Sequence, residues 1–395
     1  MSRILKNIRV LDLSQVAAGP ACTMFLGDLG AEVIKVEPPS GEIARMFGPP
    51  FINEQSVTFL SLNRNKKGIV IDLKTATGVD LVKKMSQECD VFVESFRPGV
   101  ADRLSVGYQH IKEQNPNLIY CSISAYGQEG PWSHKPGVDG IVQGTSGLMS
   151  LLGIEDGPPC KVQIPLIDLA TAMLSALSIL GALFARERFG IGQRIDMSMY
   201  NTSLMLQQTS ISSYLASGEL PRKIGSAAPY ACPNEAVLTK DGHIMIAAYQ
   251  PDKWEALCKL IEREDLLGDP RFVDNRSRVL NRKELMVILE NAFREKTCTE
   301  WLEVLERKDV ICGPIATYDG VTSSPQAIFD EIFTEIEHPL AGKILMPRFG
   351  PKFSKTPADV RLRPPLLGEH TREILERFGY SKDEISTLYK NKIVR

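Results

Sequence analysis

The sequence predicts a two-domain α/β protein built around a parallel sheet. The first third alternates short apolar runs with amphipathic segments, the rhythm of βαβ units. Its 395 residues exceed what one small core organises. Past residue 200, a stretch rich in Gly, Pro and small residues, "LASGELPRKIGSAAPYACPN", precedes a second set of strand and helix patterns.

The elements follow in order. "IRVLDL" is a short apolar strand. "GPACTMFLGDLG" is a helix that Pro20 pre-organises at its start and Gly30 ends. "AEVIKVEPP" is a strand stopped by two prolines. "KGIVIDL", "TGVDLVKKMSQECD" and "VFVESF" continue as strand, helix, strand. "ADRLSVGYQHIKEQNPN" reads as one helix and "LIYCSISAYG" as the strand after it. The uncharged run Leu169–Ala185 is a long helix, and "GQRIDMSMYNTSLML" is a strand running into another. Beyond the small-residue stretch, "HIMIAAY" is a strand. "DKWEALCKLI", "NRKELMVILENAFREK" and "CTEWLEVLERKD" carry apolar residues at i, i+3 and i+4, as amphipathic helices do. "RPPLLGEHTREILERFGY" holds a last helix.

Composition excludes several functions. Lys and Arg number 46 against 48 Asp and Glu, with no basic block, so no nucleic-acid partner is expected. Cysteines 22, 89, 121, 160, 232, 258, 298 and 312 form no C-x-x-C pair. His110, His134, His243, His338 and His370 have no metal-ligand spacing, so no metal site is expected. Free thiols fit a reducing, cytoplasmic setting, and "MSRILKNIRVLDLS" lacks the apolar core of a signal peptide. The run Leu169–Ala185 is marginal for crossing a bilayer and contains Thr171, Ser175, Ser178 and Gly181. It reads as a buried core helix, with no membrane partner.

The first βαβ unit invites a dinucleotide, with Glu37 closing the second strand as a ribose acceptor. The loop "SQVAAGPACTMFLG", however, has no G-x-G-x-x-G, and the chain has no G-x-x-x-x-G-K-[ST]. The turn still places free N–H groups at a helix N-terminus, where an anion can bind. Lys74, Arg97, Arg103 and Lys135 fall in loops after strands. Singly they read as solvated surface. Together, at the carboxyl edge of a parallel sheet, they suit a phosphate-bearing ligand. "GTSGL" lacks the glycine spacing of a hydrolase elbow. Asp168 heads the long apolar helix with two readings open: an N-cap accepting N–H groups two or three residues on, or a poorly solvated carboxylate nucleophile.

Six ordered motifs carry a family resemblance: "RVLDLSQVAAGPACTMFLGDLGAEVIKVEPPSG", "FLSLNRNKKGIVIDLKTATG", "DVFVESFRPGVADRLSVGY", "AYGQEGPWSHKPGVDGIVQGTSGLM", "ARERFGIGQRIDMSMY" and "RPPLLGEHTREIL". From about Val10 to Tyr380 the chain resembles the class III CoA-transferases, the family of formyl-CoA transferase and carnitine CoA-transferase. The resemblance implies a Rossmann-like large domain with its parallel sheet built from both chain ends, residues 1–200 and 326–395. A linker at 201–225 leads to a small inserted α/β domain at 226–325. It also implies an interlocked homodimer with no permanently bound cofactor, acting on an acyl-CoA and a carboxylic acid.

The family's nucleophile falls on Asp168, which would carry first an acyl mixed anhydride and then a CoA thioester. Its CoA contacts fall on Ala17, Ala18, Asp72, Leu73, Lys74, Ser95, Phe96, Arg97 and Arg103. Lys135 and Asp139 lie in a segment that carries CoA and active-site contacts. The chain departs from formyl-CoA transferase at Ala17, where that enzyme has glutamine, and at Pro38, where it has arginine. "GSAAPYACPN" replaces its glycine-rich loop. These departures weigh against formate or oxalate, and the small residues Ala227 to Ala231, with Tyr230, leave room for a larger acid. An α-methylacyl-CoA racemase, the alternative on this fold, needs a histidine where this chain has Val138. A non-catalytic CoA-binding protein is the third reading.

Overall fold

A computed structural model describes residues 3–395. They form two compact units. One takes the chain up to Met149, Lys161–Glu219 and Ile328–Arg395; the other takes Ser150–Cys160 and Leu220–Ala327.

In the first unit the chain runs through β1 (Arg9–Asp12), α1 (Ala18–Asp28), β2 (Glu32–Glu37), β3 (Lys66–Val70), α2 (Ala76–Gln87) and β4 (Val91–Glu94). It continues through α3 (Tyr108–Gln114), β5 (Ile119–Ser124), α4 (Asp139–Thr145), α5 (Leu166–Phe189), β6 (Gln193–Ser198), α6 (Met199–Leu206) and α7 (Gln208–Ser217). The six strands form one parallel sheet in the spatial order β3-β2-β1-β4-β5-β6. Val10 sits between Val33 and Val91 in this register. The order reverses between β1 and β4, the kind of switch point at whose carboxyl end such sheets bind ligands.

Alternation along the strands sends Leu11, Ile34, Ile69 and Phe92 to one face of the sheet. Val10, Val33, Val91 and Cys121 go to the other, under α1 and α5.

Three expectations change. The segment after β4 is not one helix: a short turn, Val100–Arg103, and α3 are separated where Ser105 takes a left-handed backbone (φ 56°). The stretch 201–225 contains most of α6 and all of α7 rather than a bare connection. The helix α5 is buried on one side only. Ile167, Thr171, Ala172, Ser175, Ala176 and Ile179 face inward, whereas Met173, Leu177 and Phe184 are 58%, 64% and 58% exposed. By length and composition α5 could cross a membrane, but its inner face packs into the sheet's core with α1. Gly190 ends it in the left-handed region (φ 69°), donating its N–H to the Arg186 carbonyl.

The second unit has an antiparallel sheet of β7 (Asn234–Leu238), β8 (His243–Ala247) and β9 (Ile311–Pro314), with β8 central. Helices α8 (Pro251–Leu260), α9 (Arg282–Phe293) and α10 (Cys298–Arg307) enclose its core around Trp254, Phe272, Leu289 and Trp301. Thr297 and Glu300 form a capping box at the start of α10. The small-residue turn around Ala228 to Ala231 is clamped. Arg282 donates to the carbonyls of Ala228 (2.6 Å) and Ala231 (2.8 Å) and pairs with Glu235. Asn275 holds the Tyr230 carbonyl at 3.0 Å, and the Tyr230 ring is exposed.

The chain's end returns to the first unit with a hairpin, β10 (Phe333–His338) and β11 (Gly342–Pro347), then α11 (Thr371–Arg377) and α12 (Lys382–Lys390). Ile374, Leu375, Ile385 and Leu388 complete one core face. Both chain ends therefore build the unit, but the six-stranded sheet itself comes from residues 9–198. The C-terminal segment adds only an isolated bridge, Val394 to Ile71.

Candidate active site

The loops at the carboxyl ends of β1 and β4 meet at the switch point. The Gln15 N–H donates to Ser95 Oγ at 2.9 Å. Val16 follows at φ 70°, a conformation that a β-branched residue adopts only under strain. Ala17 then caps α1, and Ala17 and Ala18 are both buried. After β4, the Phe96 N–H donates to Glu94 Oε2 at 2.8 Å. Glu94 is buried at the strand end and bonds Ser122; burial pushes its carboxyl up to about 7.

At the sheet's edge, Asp72, Leu73 and Lys74 follow β3. The Asp72 N–H donates to the Ile393 carbonyl at 2.9 Å, and Asp72 Oδ1 accepts the Lys74 N–H at 3.0 Å. Lys74, Arg97 and Arg103 are exposed, and among the described residues none has a carboxylate partner. Such cations keep their charge for a ligand. Glu37, by contrast, is committed: Arg45 donates to both its oxygens at 2.7 Å, so it is no free ribose acceptor.

A buried ionic network underlies the β1–α1 turn. Lys66 Nζ donates to Asp12 Oδ2 (3.0 Å), to Asn63 Oδ1 (2.9 Å) and to the Pro20 carbonyl (2.8 Å). Burial favours protonation of Asp12, but Lys66 and Lys35 outweigh it and hold the carboxyl down at about 2. Burial pulls Lys66 down to about 8.

The second cluster lies where α4 meets α5. Asp168 is not the N-cap expected of it. Pro165 occupies that position, and a proline offers no side-chain acceptor. The capping acceptor is Asp139, at the start of α4: its Oδ2 receives the N–H of Ile167 at 2.7 Å and of Asp168 at 3.2 Å. Gln143, one turn on along α4, donates to Asp139 Oδ1 (2.6 Å) and exchanges hydrogen bonds with the backbone of Val162. Val142, Ile167 and Met199 pack beneath as an apolar floor.

Released from capping, the half-buried Asp168 carboxylate has no hydrogen-bond donor among the described residues. Burial and the adjacent Asp139 charge push it up to about 7. It thus ionises near neutrality and carries an anion poorly stabilised by its surroundings, which is the condition for a reactive carboxylate.

Lys135 lies in the loop before α4, its ammonium over the Trp132 ring at 4.4 Å. Trp132, Tyr126 and Tyr200 contact one another ring to ring. Val138, where a racemase would need a proton carrier, is 65% exposed and chemically inert. The fold thus brings Asp139 to Asp168, and Ala17 to the Ser95 loop. No hydrogen bond or ion pair among the described residues joins Asp168 to the strand-end loops.

Sequence reasoning missed Gln143, Glu94 and the capping role of Asp139. The i, i+4 pairing of Asp139 with Gln143 was the one available signal.

The chain matches CoA-transferase family III over residues 5–371. A succinyl-CoA:glutarate CoA-transferase of Mus musculus is 39% identical over 392 residues, covering 99% of this chain and 90% of the relative. An acetyl-CoA:oxalate CoA-transferase of Acetobacter aceti is 37% identical over 343 residues, covering 86% of this chain and 87% of the relative. A crystal structure of a CAIB/BAIF family protein from Brucella suis superposes with a TM-score of 0.86 at 34% identity, covering 96% of this chain and 100% of that one. The chain belongs to CoA-transferase family III.

Proposed function

We propose that this protein transfers CoA from an acyl-CoA to a free carboxylic acid, with Asp168 as the covalent carrier. The observation that carries this reading is the Asp168 carboxylate itself. It is fixed by backbone at the head of α5, without a hydrogen-bond donor at its oxygens among the described residues, and ionisable near neutrality. Its carboxylate attacks the thioester carbonyl of the donor. The C–S bond breaks, and CoA thiolate leaves behind an aspartyl mixed anhydride. The thiolate then attacks the aspartyl carbonyl and expels the donor's acid, leaving an aspartyl-CoA thioester. The acceptor carboxylate attacks that thioester, releasing the thiolate and forming a second mixed anhydride; the thiolate attacks the acceptor's acyl carbon and expels the Asp168 carboxylate, which is regenerated. The donor and acceptor thioesters are of similar energy, so the overall exchange is nearly balanced, and the covalent carrier splits one difficult exchange into easier ones.

Ala17, Ala18, Asp72, Leu73, Lys74, Ser95, Phe96, Arg97, Arg103 and Lys135 bind the CoA in this reading, with Lys74, Arg97 and Arg103 available to its phosphates. The acceptor is a dicarboxylic acid and the donor succinyl-CoA, a choice supported by the name of the most extensively covered relative above. The relative named for oxalate keeps short diacids within the class, so glutarate and oxalate are compared directly. The protein works as a homodimer.

The test is the intact-protein mass after mixing with succinyl-CoA and quenching with hydroxylamine or borohydride, for wild type and Asp168→Ala. A mass change at Asp168, absent in the variant, is expected. No adduct, with deuterium exchange at the acyl α-carbon, would point to an isomerase. Neither signal would leave a CoA-binding protein without transfer.

A further inference from the structure

The β1–α1 turn is gripped from below at two backbone points, one on each side of Gln15. Lys35 Nζ donates to the Ser14 carbonyl at 3.1 Å. Glu42 Oε2 accepts the Val16 N–H at 2.7 Å. The two gripping side chains are themselves paired, Lys35 Nζ to Glu42 Oε1 at 2.7 Å, and both are fully buried. Glu42 is tied back in turn, its N–H donating to Glu37 Oε2 at 3.1 Å. The residue between the grips and the helix is Val16, in the left-handed region at φ 70°. A valine there is strained and stays only when its surroundings over-determine it. A buried ion pair is an expensive way to stabilise a fold, since apolar residues of similar volume often do as well. Its two backbone contacts on a strained turn at the sheet's switch point indicate a more specific role.

We infer that the Lys35–Glu42 pair is a positioning element for CoA: it holds the Ser14–Val16 turn in the strained form that presents Ala17, Ala18 and the Gln15–Ser95 contact to the ligand. This rests on the CoA-transferase reading of the site. Neither side chain touches the ligand; both act through the backbone of the turn.

The test compares four proteins by calorimetric titration with CoA and by steady-state transfer. Lys35→Met/Glu42→Leu removes both grips without leaving a lone buried charge. Lys35→Met/Glu42→Gln keeps an oxygen that can accept the Val16 N–H, again with no lone buried charge. The third variant adds Val16→Gly to the Met/Leu pair, because glycine enters the left-handed region freely. Wild type is the fourth. The Met/Leu variant is expected to bind CoA about tenfold more weakly and to raise the KM for acyl-CoA alike, with kcat changed far less. Lys35→Met/Glu42→Gln should restore much of the affinity, and Val16→Gly should recover part of it. Equal CoA affinity in wild type and the Met/Leu variant would overturn the inference and leave the transferase reading intact. So would losses that Gln and Gly both fail to relieve. Wild type that binds no CoA would instead overturn the reading of the site.

Discussion

Asp139 and Asp168 are joined through the main chain: one carboxylate oxygen of Asp139 receives the Asp168 N–H, so two acids that repel each other are held at one helix terminus. The helix gains its missing cap and the favourable end of its dipole for Asp139. Asp168 gains a fixed backbone and a neighbouring negative charge that, after burial, raises its carboxyl.

Asp139→Asn removes the charge and leaves an acceptor for the Ile167 N–H. Asp168 then ionises more readily, and the acid limb of kcat/KM moves from about 7 to lower pH. Asp139→Ala also loses the cap, about 1 kcal/mol of stability. It should lower kcat as well, because the Asp168 backbone is no longer fixed. Measured pH–rate profiles and thermal melts separate the two variants. An unmoved acid limb in Asp139→Asn would show that Asp139 does not tune Asp168.

Asp168 also makes a stability prediction with a definite sign. Its folded carboxyl is raised to about 7, so the protonated form is the one that folding favours. The stability this contributes is full below the ordinary carboxylate range and is lost as pH rises through about 7. Asp168→Asn has no such loss. Its melting temperature should rise relative to wild type between pH 5 and pH 8, while transfer and the covalent adduct disappear. A difference in melting temperature that is the same at both pH values would contradict the raised carboxyl.

How much of this was legible from sequence depends on what each feature needed. Strands such as Val91–Glu94 and Ile119–Ser124 were readable because strands covered on both faces are continuous apolar runs. Asp168 was readable as a lone acid in an apolar stretch. Its cap was not, because the acceptor lies 29 residues earlier in the chain. The exposed face of the long helix was not readable for a related reason. The helix is apolar nearly all round, so periodicity marks no outward face. The Lys35–Glu42 pair was hidden because a lysine and a glutamate seven residues apart carry no pairing signal in sequence; only the fold shows that both are inside.

Arg97 and Arg103 stand exposed beside the β4 loop and have no carboxylate partner among the described residues, so their charges remain for phosphate. Arg97→Ala and Arg103→Ala should each raise the KM for acyl-CoA, by roughly five- to tenfold at low salt. The penalty should shrink as ionic strength rises. A donor truncated to its pantetheine thioester lacks the nucleotide phosphates and should show no difference between variant and wild type. An equal loss with the truncated donor would place these arginines elsewhere than at the nucleotide.

The outward stripe of α5 supplies the prediction on assembly. Met173, Leu177 and Phe184 lie four and eleven residues apart, which on a helix of 3.6 residues per turn is one face. Large apolar side chains in a row rarely remain in water on a soluble protein. The occupant proposed is a second copy of this chain, in line with the homodimer proposed above. Leu177→Glu sets a carboxylate in the middle of that stripe. It should turn a dimer into a monomer in light scattering after size exclusion, with the secondary structure unchanged by circular dichroism. The charge faces outward, so the monomer's inner packing through Ala172, Ala176 and Ile179 is untouched. A variant that stays dimeric would move the interface off α5, and a wild type that is monomeric at micromolar concentration would remove the homodimer altogether.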